Sequence, residues 1–255
     1  MKRWIPAKLS ATQPQVRRPG RRVALFAAAA TACLSLAAFT VPAARAVAPP
    51  ASGCAAVNLI VARASTEAPG EGTTQSLATQ IVNSSTQTVS QEAVVYPATL
   101  TNYASSESQG VTNAEQELTT AVGNCPNQKE VLLGYSQGAE VSMDVIAGNS
   151  EVGGTVTPVS TAISSHVVAI ANFGDPGHVV GQSWDLGTAT RNGLFPRSSA
   201  QLRLLTAFGG SSKIAAWCDA NDPYCASGLN LEVHLTYLDR YQNAAASFVL
   251  GKIGG

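Results

Sequence analysis

The stretch that most limits what this chain can become is Lys129-Glu130-Val131-Leu132-Leu133-Gly134-Tyr135-Ser136-Gln137-Gly138-Ala139-Glu140-Val141. Its apolar run at 131–133 has the composition of a strand buried on both faces, and residues 139–147 read as helix. Between them stands G-x-S-x-G, a motif that carries meaning only with a strand before it and a helix after it. The two glycines leave room where a tight turn presses strand against helix, and the serine between them is pushed out at the tip. The helix that follows aims its free amides and positive dipole end at charge developing beside that serine. Ser136 is therefore the candidate nucleophile. The plainer alternative is a Gly/Ser turn that only reverses the chain, and the flanking elements argue against it.

The rest of the chain alternates in the same way. Runs at 56–62, 93–96 and 166–173 read as strands, 74–86 and 106–122 as helices, and 231–250 as one long C-terminal helix. The last strand is supplied by either 201–207 or 213–217. Residues 155–165 show no period and read as loop, while 177–199, rich in Gly, Arg, Asp and Ser, read as surface. Nearly all-apolar strands alternating with helices argue for an α/β fold, a three-layer sandwich with a central parallel sheet. No internal repeat and no second domain is visible.

Residues 1–46 do not belong to that sandwich. Lys2, Arg3, Lys8, Arg17, Arg18, Arg21 and Arg22 form a basic region without an acid, 23–41 is apolar and alanine-rich, and Ala44-Arg45-Ala46 is an A-x-A cleavage site. This reads as a secretory signal peptide. A retained membrane anchor is the rival, and the cleavage site with the Pro/Ala/Ser linker at 47–53 favours removal. Residues 54–255 then form a single domain. The whole chain has a formal charge of zero, but cleavage leaves eight Lys/Arg against sixteen Asp/Glu, a formal charge of −8. Such a protein is a poor partner for nucleic acid or an anionic membrane. Cysteine use points to export as well. Cys54, Cys125, Cys218 and Cys225 remain, and four cysteines allow three pairings. Cys218 with Cys225 is the local choice, and Cys54 with Cys125 follows from it. A metal site is disfavoured, because no histidine stands at ligand spacing from a cysteine pair.

A serine hydroxyl needs a base to take its proton and a third group to orient the base. His166 opens a strand, where burial or an edge position explains it, and His178 lies in a Gly-rich loop where a solvated role fits. His234 lies near the start of the last helix, downstream of a cysteine-bounded acidic loop, and satisfies the order Ser, Asp or Glu, His found in α/β hydrolases. For the acid, Asp175 follows a strand end and Asp222 lies between Cys218 and Cys225, with Asp219 behind both. A bridged, turn-rich loop would hold a carboxylate fixed, which favours Asp222.

Gly134-Tyr135-Ser136-Gln137-Gly138, Cys218-Asp219-Ala220-Asn221-Asp222-Pro223-Tyr224-Cys225 and His234-Leu235-Thr236-Tyr237 resemble the three catalytic blocks of the cutinase family. Arg63-Ala64-Ser65-Thr66-Glu67 resembles its oxyanion block, with Ala64 where the family usually has glycine, and Phe173-Gly174-Asp175-Pro176 resembles a further block of its bacterial members. The resemblance implies a lidless, cutinase-type catalytic domain over 54–255, with Ser136 as nucleophile, Asp222 as acid and His234 as base. It implies an oxyanion hole from Ser65 and Gln137, and the pairings Cys54–Cys125 and Cys218–Cys225. It implies a secreted serine esterase, without metal or cofactor, acting as a monomer on cutin-like polyesters or short to medium acyl esters. Residues 177–199 and 229–233 would border the site and set acyl preference. The alternatives are an acyltransferase, a lipid or acetylxylan esterase of the same family, and a noncatalytic acyl-binding protein.

Overall fold

The computed structural model describes residues 53–254. The signal peptide expected at 1–46 and nearly all of the linker lie outside them. Six strands form one sheet in the order β2-β1-β3-β4-β6-β5, every neighbouring pair parallel. They are β1 (Val57–Ala62), β2 (Val89–Ala93), β3 (Lys129–Tyr135), β4 (Val167–Phe173), β5 (Asp185–Leu186) and β6 (Ile214–Trp217). The helices are α1 (Gln75–Ser84), α2 (Tyr103–Asn124), α3 (Gln137–Ala147), α4 (Thr161–Ser164), α5 (Ser199–Phe208), α6 (Leu231–Leu235) and α7 (Tyr237–Ile253).

Side-chain alternation along the central strands builds two cores. Leu59, Val61, Val131 and Leu133 face α1 and α7, whose Leu77, Ile81, Ala245 and Val249 complete one cluster. Ile60, Ala62, Leu132 and Ile170 face α2, α3 and α5, meeting Val111, Leu118, Val141 and Leu205 in the other. Both faces of the sheet are thus covered, as all-apolar strands require. The expected three-layer α/β sandwich is the observed one.

The strand order also fixes where chemistry can happen. From β1 the chain runs outward to β2, then returns to place β3 on the other side of β1, so the order reverses between β1 and β3. The crevice beyond the carboxyl ends at such a switch point is where open α/β sheets bind ligands. Ala62 pairs with Gly134, Tyr135 with Phe173 and Phe173 with Trp217. The four segments leaving β1, β3, β4 and β6 therefore emerge side by side.

Several elements differ from the sequence reading. The strand expected at 93–96 lies at Val89–Ala93 instead. It is an edge strand with three exposed residues in the middle, so apolar content does not mark it. Of the two candidates for the last strand, 213–217 contains β6, whereas 201–207 lies within α5. A capping box opens that helix, Ser198 and Gln201 each bonding the other's backbone. The segment 155–165 holds the short helix α4. The region 177–199 is not all surface, since it contributes β5 and buries His178, Trp184 and Arg197. The long C-terminal helix is broken at Thr236 (φ −120°). There the Tyr135 hydroxyl enters the helical ladder, donating to the His234 carbonyl and accepting from the Tyr237 N–H at 3.4 Å.

Candidate active site

Ser136 stands between β3 and α3 with φ 55° and ψ −122°, a left-handed backbone that a non-glycine residue rarely adopts. Packing imposes it. A Cβ on Gly134 would meet the Gly138 carbonyl oxygen at 2.3 Å, and one on Gly138 would meet the Ala62 carbonyl oxygen at 2.0 Å. Both glycines of the motif are thus required by close approach, one against the turn itself and one against β1. The Ser136 N–H is held by the Phe173 carbonyl at 2.8 Å, which ties the elbow to β4. Gln137 is the first residue of α3, so its N–H has no acceptor within the helix.

The segment leaving β1 is pinned by its own charged residues. Arg63 donates to the carbonyls of Glu67 (3.1 Å) and Tyr96 (2.5 Å), and the Tyr96 hydroxyl returns a bond to the Arg63 carbonyl. The Glu67 carboxylate accepts from the N–H groups of Ala64 (2.7 Å) and Thr73 (2.8 Å). The positive φ in this loop falls on Thr66, at 69°, and not on Ala64. Alanine at that position is therefore unstrained. Ser65 Oγ is buried without a hydrogen-bond partner among the described residues, an unusual state for a hydroxyl.

His234 sits on α6 and is buried. Its Nδ1 lies 2.7 Å from Asp222 Oδ2. The Asp222 carboxylate is fully buried and saturated with donors. Oδ1 accepts from the N–H groups of Tyr224 (2.7 Å) and Cys225 (3.0 Å), while Oδ2 also accepts from the Tyr237 hydroxyl (2.8 Å). Burial works to raise its pKa, but the bonds from His234, Cys225 and Tyr224 win and hold it below the ordinary carboxylate value. Disulfides Cys218–Cys225 and Cys54–Cys125 are both formed, and the first closes the loop that carries this carboxylate. The back of the imidazole rests on Gly174 (φ 63°), where a Cβ would meet His234 Cε1 at 2.7 Å and Nδ1 at 2.9 Å.

The rival acid is engaged elsewhere. Asp175 Oδ2 pairs with Arg197 Nη1 at 2.6 Å and Oδ1 accepts from the Gly177 N–H at 2.8 Å. Arg197, buried, also reaches Asp144 at 2.8 Å and the Glu140 carbonyl at 3.2 Å. It thereby ties the segment after β4 to α3. Asp219 is held by Arg240 and Tyr241 at 2.9–3.1 Å. His178, expected to be solvated, is buried with its Nδ1 3.7 Å from Asp185. Burial lowers its pKa despite the nearby carboxylates. His166 is half-buried at the entry to β4. Sequence reasoning missed Arg197, Glu67, Gly174 and Tyr135 as supports of this arrangement. Only Gly174, before Asp-Pro at a strand end, carried a turn signal.

Ser65, Ser136 and His234 open onto one cavity of about 470 Å³, walled further by Tyr103, Tyr135, Phe195 and Tyr224. Among the described residues no hydrogen bond joins Ser136 Oγ to the imidazole; the two share the cavity wall. Four leucines of the wall, Leu100, Leu194, Leu231 and Leu235, are about half exposed at its rim. Leu194 and Leu231 come from the two segments expected to border the site.

The sequence profile described as Cutinase matches residues 53–253. The chain belongs to the cutinase family. Acetylxylan esterase 2 of Talaromyces purpureogenus is 29% identical to this cutinase-family chain over 212 residues, covering 79% of it and 88% of the relative. Phospholipase Culp4 of Mycobacterium tuberculosis is 31% identical over 236 residues, covering 91% and 92% of the two chains. An acetylxylan esterase solved at 0.90 Å is 32% identical and superposes with a TM-score of 0.70, covering 79% of this cutinase-family chain and all of the other. The family and the fold expected from the sequence blocks are both found.

Proposed function

We propose that this cutinase-family ester hydrolase works through Ser136, His234 and Asp222, with Ser65 and Gln137 as the oxyanion hole. The observation that carries the reading is the 2.7 Å contact between His234 Nδ1 and a buried, fully satisfied Asp222, on the wall of the cavity that also receives Ser136. With Nδ1–H donated to Asp222, His234 Nε2 is left as the base. It takes the Ser136 proton as Oγ bonds to the ester carbonyl carbon. The oxyanion formed there rests on the N–H groups of Ser65 and Gln137 and on the Ser65 hydroxyl. The C–O bond to the alcohol breaks, and the proton on Nε2 leaves with the alcohol. Water then attacks the acyl-enzyme, gives its proton to Nε2, and the collapse returns that proton to Ser136.

The cavity supports a reading of the substrate class. A chamber of about 470 Å³ with a leucine rim suits an apolar acyl chain of several carbons, on a polyester or a lipid-like ester, better than an acetyl group. The second reading is acetyl ester hydrolysis, as the names of the acetylxylan esterase relatives suggest. Initial rates on p-nitrophenyl esters from acetyl to palmitoyl, with Ser136→Ala beside wild type, test both. A maximum at medium chain length and loss of activity in S136A is the expected result. A maximum at acetyl reverses the substrate reading, and an S136A enzyme as fast as wild type removes the mechanism. Performing the assay with a competing alcohol separates hydrolysis from acyl transfer.

Export is part of the same reading. Two disulfides fit an oxidising compartment, and no described helix is long and apolar enough to cross a membrane. N-terminal sequencing of the secreted protein is expected to begin at Val47. The protein is further proposed to act as a monomer, which light scattering checks.

A further inference from the structure

Tyr237 is fully buried at the start of α7, and its hydroxyl sits at the centre of a small network. The Asp219 N–H donates to that oxygen at 2.8 Å. The hydroxyl has one proton to give, and two acceptors lie within reach: Asp222 Oδ2 at 2.8 Å and Cys225 Sγ at 3.2 Å. A carboxylate is much the stronger acceptor than a disulfide sulfur, so the proton goes to Asp222. The same Oδ2 receives His234 Nδ1, and both Oδ1 positions are filled by backbone donors. A carboxylate offers about four acceptor sites, and here all of them are taken. Asp222 thus has no free site at which to hold a proton of its own.

We propose that Tyr237 is a positioning residue for the reaction: its hydroxyl keeps Asp222 an acceptor only, so that His234 must donate Nδ1–H and present Nε2 as the base. This rests on the Ser136–His234–Asp222 reading. Tyr237 touches no substrate and acts through Asp222. Removing its proton would leave more negative charge on Oδ2 facing the imidazole, which favours the imidazolium. The base is then protonated at higher pH, so the acid limb of kcat/KM moves up.

Other titratable groups face this network, and none supplies the same bond. Asp219 is bound to Arg240 and Tyr241, and the Arg240 guanidinium lies over the Tyr237 ring, 4.9 Å from its centroid. The Tyr135 hydroxyl is bound to the His234 carbonyl, and the Tyr224 ring packs 4.5 Å from the imidazole. Glu67, in the loop after β1, acts on Tyr135 through its charge, and His178, in the loop after β4, interacts with Asp222 in the same way.

The test is the pH profile of kcat/KM for Tyr237→Phe, which keeps the ring and removes only the hydroxyl. The acid limb is expected about 0.5–1 pH unit higher than in wild type, and the shift should vanish in an Asp222→Asn background. An acid limb that overlays wild type, with only amplitude or melting temperature reduced, makes Tyr237 a packing residue and overturns the proposal. Loss of activity in Ser136→Ala alongside such an overlay leaves the catalytic reading standing; retained activity in Ser136→Ala removes both. A second measurement needs no folded variant. In wild type, proton NMR should show a Tyr237 hydroxyl proton protected from exchange and close to the His234 Nδ1 proton, whereas a freely exchanging hydroxyl contradicts the assignment.

Discussion

On the proposed mechanism, single residues decide whether the His234 imidazole can act as the base. Asp222 and Asp175 were both open from the residue pattern, and the structure separates them by partner: one meets His234, the other a buried arginine. Asp222→Asn keeps the shape but lets the amide donate to Nδ1, fixing the wrong tautomer. The expected loss in kcat is about 10⁴-fold with little change in KM. Asp175→Asn instead breaks a buried ion pair, for which about 3–5 kcal/mol of stability is the usual scale. Its melting temperature should fall far more than its kcat, and the opposite ranking would reassign the acid. Gly174 offers a finer test. An alanine there is strained at φ 63° and drives a methyl into the imidazole, so Gly174→Ala should lower kcat at least 10-fold on the scale of a misplaced catalytic group. Motif blocks marked Ser136 and Asp222 as candidates, because one stands between two glycines and the other between two cysteines, while chain order pointed to His234. Gly174 as the wall behind His234 was not legible, since that contact joins residues sixty apart in the chain.

Elements set how firmly those residues are held, and here the two disulfides divide the work. Cys54–Cys125 spans 71 residues and ties the start of β1 to the end of α2, away from the cavity; Cys218–Cys225 spans only 7 and closes the loop of Asp222. Chain entropy assigns about 4.4 kcal/mol to the long bridge and about 2.5 kcal/mol to the short one. Activity should rank them the other way. The Tyr224 and Cys225 N–H groups that fix Asp222 Oδ1 lie inside the short loop. Replacing Cys218 and Cys225 by alanine should therefore cost kcat, whereas the Cys54/Cys125 pair should cost mainly urea stability. Kinetics and unfolding on both double variants, at a temperature where each is folded, check this. The same elements show why sequence reading failed where it did. Central strands β1, β3 and β4 are buried on both faces and announce themselves; edge strand β2 and the break at Thr236 depend on partners supplied by distant segments.

At the scale of the whole molecule, one buried acid, Glu130, and two half-buried ones, Glu115 and Glu117, should tilt stability toward low pH. Glu115, Glu117 and Glu130 are pushed up to about 7, in each case chiefly by burial. Glu130 is fully buried, with Asn58 Nδ2 3.2 Å from Oε2 and no partner on Oε1 among the described residues. A carboxyl whose folded pKa lies above its unfolded value binds more protons when folded. Its contribution is complete below the unfolded value of about 4.5, and is lost as pH rises through about 7. Asp222, held low, gives the opposite slope, but only in the acid range below its ordinary value. Melting temperature should thus fall between pH 5 and pH 8. Repulsion within a domain of formal charge −8 acts in the same direction, so the slope alone does not identify its source. Salt separates the two: at about 0.5 M the surface share is screened, while a buried carboxyl is screened far less. Glu130 lies at the entry end of β3, opposite the carboxyl ends that carry Ser136. Glu130→Gln should therefore leave kcat unchanged. It should also remove on the order of 2 kcal/mol of the pH-dependent change that persists in high salt, a flattening of roughly 4–8 °C in melting temperature across that range. An equally steep curve in the variant would place the effect on the surface charges instead.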